Sequence, residues 1–124
     1  VYERVGTLLV QTGKVDDGLR MLRQSMDIIT PVLARDSTNL QTRARVAASE
    51  RGLATALLAQ ARNTHGDAET RRARYRDAKR MLARARAFWM EMRDKNLDVQ
   101  DSGDTVAELT MEVAAIDREL KELN

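Results

Sequence analysis

Cysteine is absent from the sequence, so neither a disulfide framework nor a thiolate-ligated metal site can form. Glycine is sparse and Pro31 is the single proline, which leaves few positions that must interrupt a helix. Aromatic residues are confined to Tyr2, Tyr75, Phe88 and Trp89. Apolar runs stop after a few residues, as at Leu57-Leu58-Ala59, whereas a membrane-spanning helix needs about 20. The first residues carry no signal-peptide pattern and nothing suggests a lipid anchor, so a cytoplasmic setting without membrane insertion is the expectation. Strand-like alternation of β-branched residues is missing throughout.

What remains is rich in alanine, leucine, arginine and methionine, all good helix formers. Hydrophobic residues make up 43% and charged residues 32% of the 124 positions, the balance of one folded domain with a modest core. The net charge of +2 conceals a partition. Residues 62–95 hold eleven basic against five acidic side chains, and residues 96–124 hold two against eight. Opposite fields on neighbouring segments predict attraction within the fold.

Periodicity and punctuation predict five helices. The first runs to about Thr12 with Tyr2, Val5 and Leu9 on one stripe, and Gly13 stops it. The second carries Val15, Leu19, Leu22, Met26, Ile29 and Leu33 on one face, with a kink or end expected near Thr30 ahead of Pro31. Thr38 and Gln41 form a capping-box signature for a third helix that runs to about Arg62. Its stripe is Ala47, Glu50, Leu53, Ala54, Leu57 and Ala61. After the Asn63–Asp67 loop a fourth helix begins between Ala68 and Arg74, striped by Tyr75, Ala78, Leu82, Ala85, Trp89 and Met92. A polar turn spans 95–103, and a fifth helix carries Val106, Leu109, Val113, Ile116, Leu120 and Leu123.

The chain also repeats itself. Asp17-Gly18-Leu19-Arg20-Met21-Leu22 returns as Asp77-Ala78-Lys79-Arg80-Met81-Leu82, sixty residues on. Val5, Gly6, Leu9 and Gly13 align with Leu53, Ala54, Leu57 and Ala61 at a shift of 48. Small residues at Gly6, Gly18, Ala54, Ala78 and Ala85 are placed to let antiparallel backbones approach, with larger neighbours filling the space beside them. The expected architecture is all-α: two antiparallel helix hairpins (1–36 and 37–95, the second with a loop enlarged by about twelve residues) and a closing helix over 101–124.

This pattern resembles the tetratricopeptide repeat family. Tyr2, Val5-Gly6, Leu9, Gly13, Gly18, Leu22 and Ser25 fill the family's positions in the first unit, and Glu50, Leu53-Ala54, Leu57, Ala61, Ala78, Leu82 and Ala85 in the second. Glu50 stands where a bulky residue is usual and Ala61 where a glycine is. The resemblance implies an α-α superhelix that binds a peptide or helix of a partner protein. Residues 74–89 with the turn and closing helix, and the Val32–Asn39 linker, also resemble the end of repeat arrays attached to some bacterial serine/threonine protein kinases. That likeness implies the regulatory, C-terminal region of a longer chain, although no phosphate loop, strand lysine or His-Arg-Asp loop is present in these residues.

Chemistry finds little support. His65 is the only histidine, in a loop where Asp67 alone is near in sequence. Glu108/Glu112 and Glu119/Glu122 lie at helical spacing but lack the Glu-x-x-His partners of a dimetal bundle, and are read as solvating the outer face of the last helix. Enzyme activity, cofactors and metal are therefore not expected. The run Arg71, Arg72, Arg74, Arg76, Lys79, Arg80, Arg84 and Arg86 raises nucleic-acid binding as an alternative, though no aromatics interleave to stack bases. The favoured partner is a protein or peptide, acidic in character, held on the first helix of each pair by Glu3, Thr7, Val10 and Gln11 and by Arg51, Thr55, Leu58 and Arg62. A second alternative makes the chain the structural cap of a longer array, its last helix closing the stack. Through that helix a homodimer is also conceivable, though its stripe spans fewer than three heptads.

Overall fold

The computed structural model describes residues 2–63, 66–95 and 102–123, and of residues 2, 3 and 102–104 the backbone alone. Among the described residues the fold is all-helical: α1 (Tyr2–Gln11), α2 (Val15–Arg35), α3 (Leu40–Asn63), α4 (Ala68–Asp94) and α5 (Ser102–Glu122). His65 and residues 96–101 of the expected polar turn lie outside the described residues, while Ser102 and Gly103 already belong to α5.

The breaks between helices have local causes. Gly13 adopts φ +88°, and around it the Lys14 N–H donates to Leu9 O at 2.8 Å and the Gly13 N–H to Val10 O at 3.1 Å. This double closure satisfies the last carbonyls of α1 and needs a residue without a Cβ. The expected cap at Thr38 falls instead on Asn39, whose side chain accepts from the Thr42 N–H at 3.2 Å. Thr38 is engaged by Asp36, which accepts from its N–H at 3.2 Å and its hydroxyl at 2.7 Å. At the start of α4, Asp67 accepts from the Glu69 N–H at 3.1 Å, so the helix begins at Ala68, and the extra residues of the second unit are carried largely as helix.

Pro31 does not end α2, which continues to Arg35. A proline deletes a single N–H donor from the ladder, and the Thr30 hydroxyl donates to the Met26 carbonyl at 2.7 Å beside the gap. The four further residues carry Leu33 over the α3–α4 seam.

Consecutive helices pack against one another, and α1 also touches α3. Contacts run antiparallel in each consecutive pair: Gly6 against Leu22 and Val10 against Gly18 between α1 and α2, Ser25 with Ser49 and Asp16 with Gln60 between α2 and α3, and Ala61 O with Arg71 and Glu50 with Arg84 between α3 and α4. Between α4 and α5, Lys79 meets Asp117 and Arg86 meets Thr110. Thus α1, α3 and α5 run in one direction and α2 and α4 in the other.

The core lies along α3. Ala54, Ala56 and Ala61 of α3 are fully buried, and Leu22, Ala78, Leu82, Ala85 and Met92 close over it from α2 and α4. Small residues permit this closeness. A Cβ on Gly18 would stand 2.6 Å from the Gly6 carbonyl oxygen, so the α1 and α2 backbones are near contact. The α4 stripe differs from expectation at its aromatics. Phe88 is buried while Trp89 is half-buried, the two rings meeting edge to face with centroids 5.0 Å apart. Phe88 turns inward because α3 and α2 jointly cover its side of α4, with the Arg43 guanidinium 5.2 Å from its ring centre. Val5, placed on the inner stripe of α1 by pattern, is 38% exposed because the described helices leave that side uncovered.

Candidate functional site

The eight residues expected to hold a partner do not form one open surface. Thr7 and Val10 are half-buried, and Val10 abuts Gly18, where its Cγ2 would lie 2.5 Å from an added Cβ. Gln11 and Thr55 are exposed, and the Thr55 hydroxyl donates to the Arg51 carbonyl at 3.0 Å. Leu58, expected at the surface, is buried, since α3 is enclosed on more sides than one amphipathic stripe suggests. The side chain of Glu3 lies outside the described residues.

Arg51 and Arg62 sit on the α5 side of α3. Arg51 donates to Glu112 at 2.8 Å and to Glu108 at 3.1 Å. Arg62 forms a two-pronged pair with Glu119 at 2.9 and 3.1 Å. Burial pulls the Arg51 pKa down, but the hydrogen bonds it donates to Glu112 and Glu108, with their charges, outweigh burial and leave it raised. The hydrogen bond to Glu119 likewise holds Arg62 above its ordinary value. Glu108, Glu112 and Glu119 therefore clasp α3 rather than solvate an outer face. Helical spacing showed that they share a side of α5 but not that α5 would turn this side to α3.

The basic run of α4 is also largely engaged within the molecule. Arg71 donates to Ala61 O at 2.9 Å, Arg72 to Leu123 O at 3.3 Å and Arg86 to the Thr110 hydroxyl at 2.8 Å. Lys79 pairs with Asp117 at 2.7 Å, Arg80 pairs with Asp77, and Arg84 stands 3.9 Å from Glu50. The charge partition of the sequence is thus realised as an α4–α5 and α3–α5 lattice.

A second feature escaped pattern reasoning. Where α2, α3 and α4 converge, a cavity of about 320 Å³ is lined by Leu33, Val46, Ala47 and Phe88 together with Arg43, Glu50, Arg84 and Glu91. Glu50 is 9% exposed, and its Oε2 is buried without a hydrogen bond. Burial pushes its carboxyl up, and the distant Arg84 charge offsets this only in part. Glu91 at the rim goes the other way: hydrogen bonds from Lys95 and Arg43 hold its pKa down at about 2. The unusual Glu in the third-helix stripe was the available signal, because a carboxylate on an apolar stripe must be desolvated when the stripe packs.

Among the described residues no group of three or more His, Cys, Asp or Glu side chains could hold a metal ion, and no helix is long and apolar enough to cross a membrane. No protein-family model matches the chain, and neither does any curated protein or solved structure.

Proposed function

We propose that the chain is a tetratricopeptide-like protein-interaction module whose α1–α3 side holds an acidic helix or peptide of a partner protein. The observation that carries this reading is the seat of α5. An acidic amphipathic helix already lies beside α3 with three of its carboxylates on Arg51 and Arg62, so the surface accepts a ligand of that chemistry. The alternating directions of consecutive helices and the contact of α1 with α3 are what stacked hairpins of that family would produce. The kinase-linked arrays that residues 74–89 resemble give such a module a place in a signalling chain.

The test is site-specific photocrosslinking in the source cell, with the crosslinker at Gln11 or Thr55 and, as control, at exposed Asp27 on α2. A discrete adduct from the first two positions and none from the third is expected. Equal labelling from all three, or none from any, sinks the reading.

A second reading, a stacking unit of a longer array, has its own observation. Val5, Leu8, Ile28 and Val32 are 38%, 60%, 55% and 42% exposed. Their counterparts under the two repeat shifts are Leu53, Ala56, Phe88 and Met92, buried at 6%, 0%, 8% and 0%. The first hairpin leaves open the positions that the second closes. Hairpins added ahead of α1 should raise the unfolding free energy, as nearest-neighbour stacking requires; no gain would remove this alternative.

A further inference from the structure

We infer that α5 is a displaceable internal occupant, and that the basic side of α3 and α4 beneath it is exchanged between α5 and an acidic amphipathic helix of a partner protein. This rests on the interaction-module reading and adds what guards the surface.

Two kinds of contact hold α5: an apolar stripe seated on α4 and solvated ion pairs towards α3. The α3–α4 seam is dry, with Ala54, Ala61, Ala78, Leu82 and Ala85 at most 1% exposed. Among the described residues of α5, Val106, Leu109 and Ile116 are buried, while Val113 and Leu120, and Leu123 just past its end, are half-buried. Towards α3 the described links are side-chain ion pairs, with Glu108, Glu112 and Glu119 exposed by 62%, 38% and 29%. Such half-solvated pairs are individually weak and salt-screened. Their sum orients α5 on its apolar seat, and it is this α3-facing half of the contact that salt and a competing acidic helix would weaken.

The geometry also states what could replace α5. The replacement needs apolar residues at the spacing of Val106, Leu109, Val113 and Ile116, since these cover α4. It also needs carboxylates at the positions of Glu108, Glu112 and Glu119 to meet Arg51 and Arg62. An apolar helix without the acids would leave the half-buried Arg51 guanidinium unpaired and Arg62 without its two-pronged partner, and an acidic coil without the stripe would leave α4 bare. Both features are required, which makes the surface selective.

The experiment titrates a fluorescent peptide of residues 102–123 into the full chain and into a full-chain Glu112→Lys, Glu119→Lys variant. The expected result is at least ~10-fold tighter binding to the variant, whose own α5 is loosened, with no binding by a peptide in which Glu108, Glu112 and Glu119 are reversed to lysine. Amide exchange in the same samples reports whether α5 has been released. A variant that releases α5 yet ignores the peptide overturns the inference, as does a variant in which α5 stays protected. Should the variant unfold, wild-type exchange decides: between ~50 and ~500 mM salt, α5 amides should accelerate about 10-fold while α2 amides do not. Equal behaviour of the two helices overturns it. Because the probe is the chain's own helix, this can fail while photocrosslinking succeeds, and the reverse.

Discussion

Replacing Gly18 by alanine tests the account of how α1 and α2 meet. The added Cβ would stand 2.5 Å from Val10 Cγ2, 2.6 Å from the Gly6 carbonyl oxygen and 3.0 Å from the Val10 nitrogen. Two of these neighbours are backbone, so no rotamer change relieves them, and the helices must part by about 0.8 Å to restore ordinary contact. Overpacking of this kind costs about 1–3 kcal/mol, against a helix-propensity gain of about 1 kcal/mol for alanine over glycine. The net expectation is a loss of about 1 kcal/mol, the middle of a range from about 0 to 2, or a fall in Tm of roughly 5 °C for a domain of this size. Gly52→Ala is the matched control. Its nearest neighbour is Leu22 Cδ2 at 2.8 Å, the end of a side chain, and the next is Thr7 Oγ1 at an ordinary 3.4 Å. Repacking and propensity should there cancel to within about 0.5 kcal/mol. Urea titrations followed by circular dichroism at 222 nm measure both, and amide exchange locates the loss in α1. The argument is refuted if Gly18→Ala matches or exceeds wild-type stability, or if Gly52→Ala loses as much.

Three further outcomes follow from the same contacts. Glu50 has a raised pKa in the fold, so its contribution is most favourable below the ordinary carboxylate value and is lost as pH rises; Glu50→Gln should gain about 1 kcal/mol at pH 7 and nothing near pH 4, read from urea midpoints. Glu91, held at about 2, has the opposite sign: its stabilisation is present above the ordinary value of 4.5 and disappears as pH falls towards 2. Glu91→Gln should therefore flatten the acid limb of the stability profile, and an unchanged limb would discount the Arg43 and Lys95 contacts. Gly13→Ala places a side chain at φ +88° in open space, so strain alone acts, and a loss of about 1–2 kcal/mol is expected in thermal unfolding.

Much of the fold was legible because helical periodicity reports burial one helix at a time. The stripes over Leu19–Leu22–Ile29, Leu53–Leu57–Ala61 and Leu109–Ile116 all face the core. Gly13, the polar cluster over 36–39 and the Asn63–Asp67 loop marked helix ends because each offers a local way to satisfy terminal backbone groups. What failed depended on neighbours that a single stripe does not contain. Leu58 is buried because α3 is enclosed from several sides, and Phe88 outranks Trp89 because two helices meet on its side of α4. Pro31 stays inside α2 because propensity assigns a cost to the proline but does not see the packing of Leu33 that continuing the helix secures.

The arginines of α3 show where pattern reasoning stops. From the sequence, Arg51 and Arg62 lie on a helix face beyond the core stripe, which is where a ligand contact or a solvated charge would equally be found. The opposed charges of residues 62–95 and 96–124 announced an attraction but located it on the basic run of α4. In the fold that attraction is divided: Lys79 takes Asp117, while three of α5's acids pass over to α3. Pairing geometry explains the division. Helix α5 packs its apolar stripe on α4, so acids on that stripe's flank project sideways, where the long side chains of Arg51 and Arg62 reach them from α3. Arg51 and Arg62, expected to recognise an acidic partner, thus already meet acids within the chain, and under the exchange proposed above the binding of an external helix would be a competition between two acidic helices. Its outcome should depend on ionic strength less than simple binding would, because both competitors lose the same ion pairs when salt screens them.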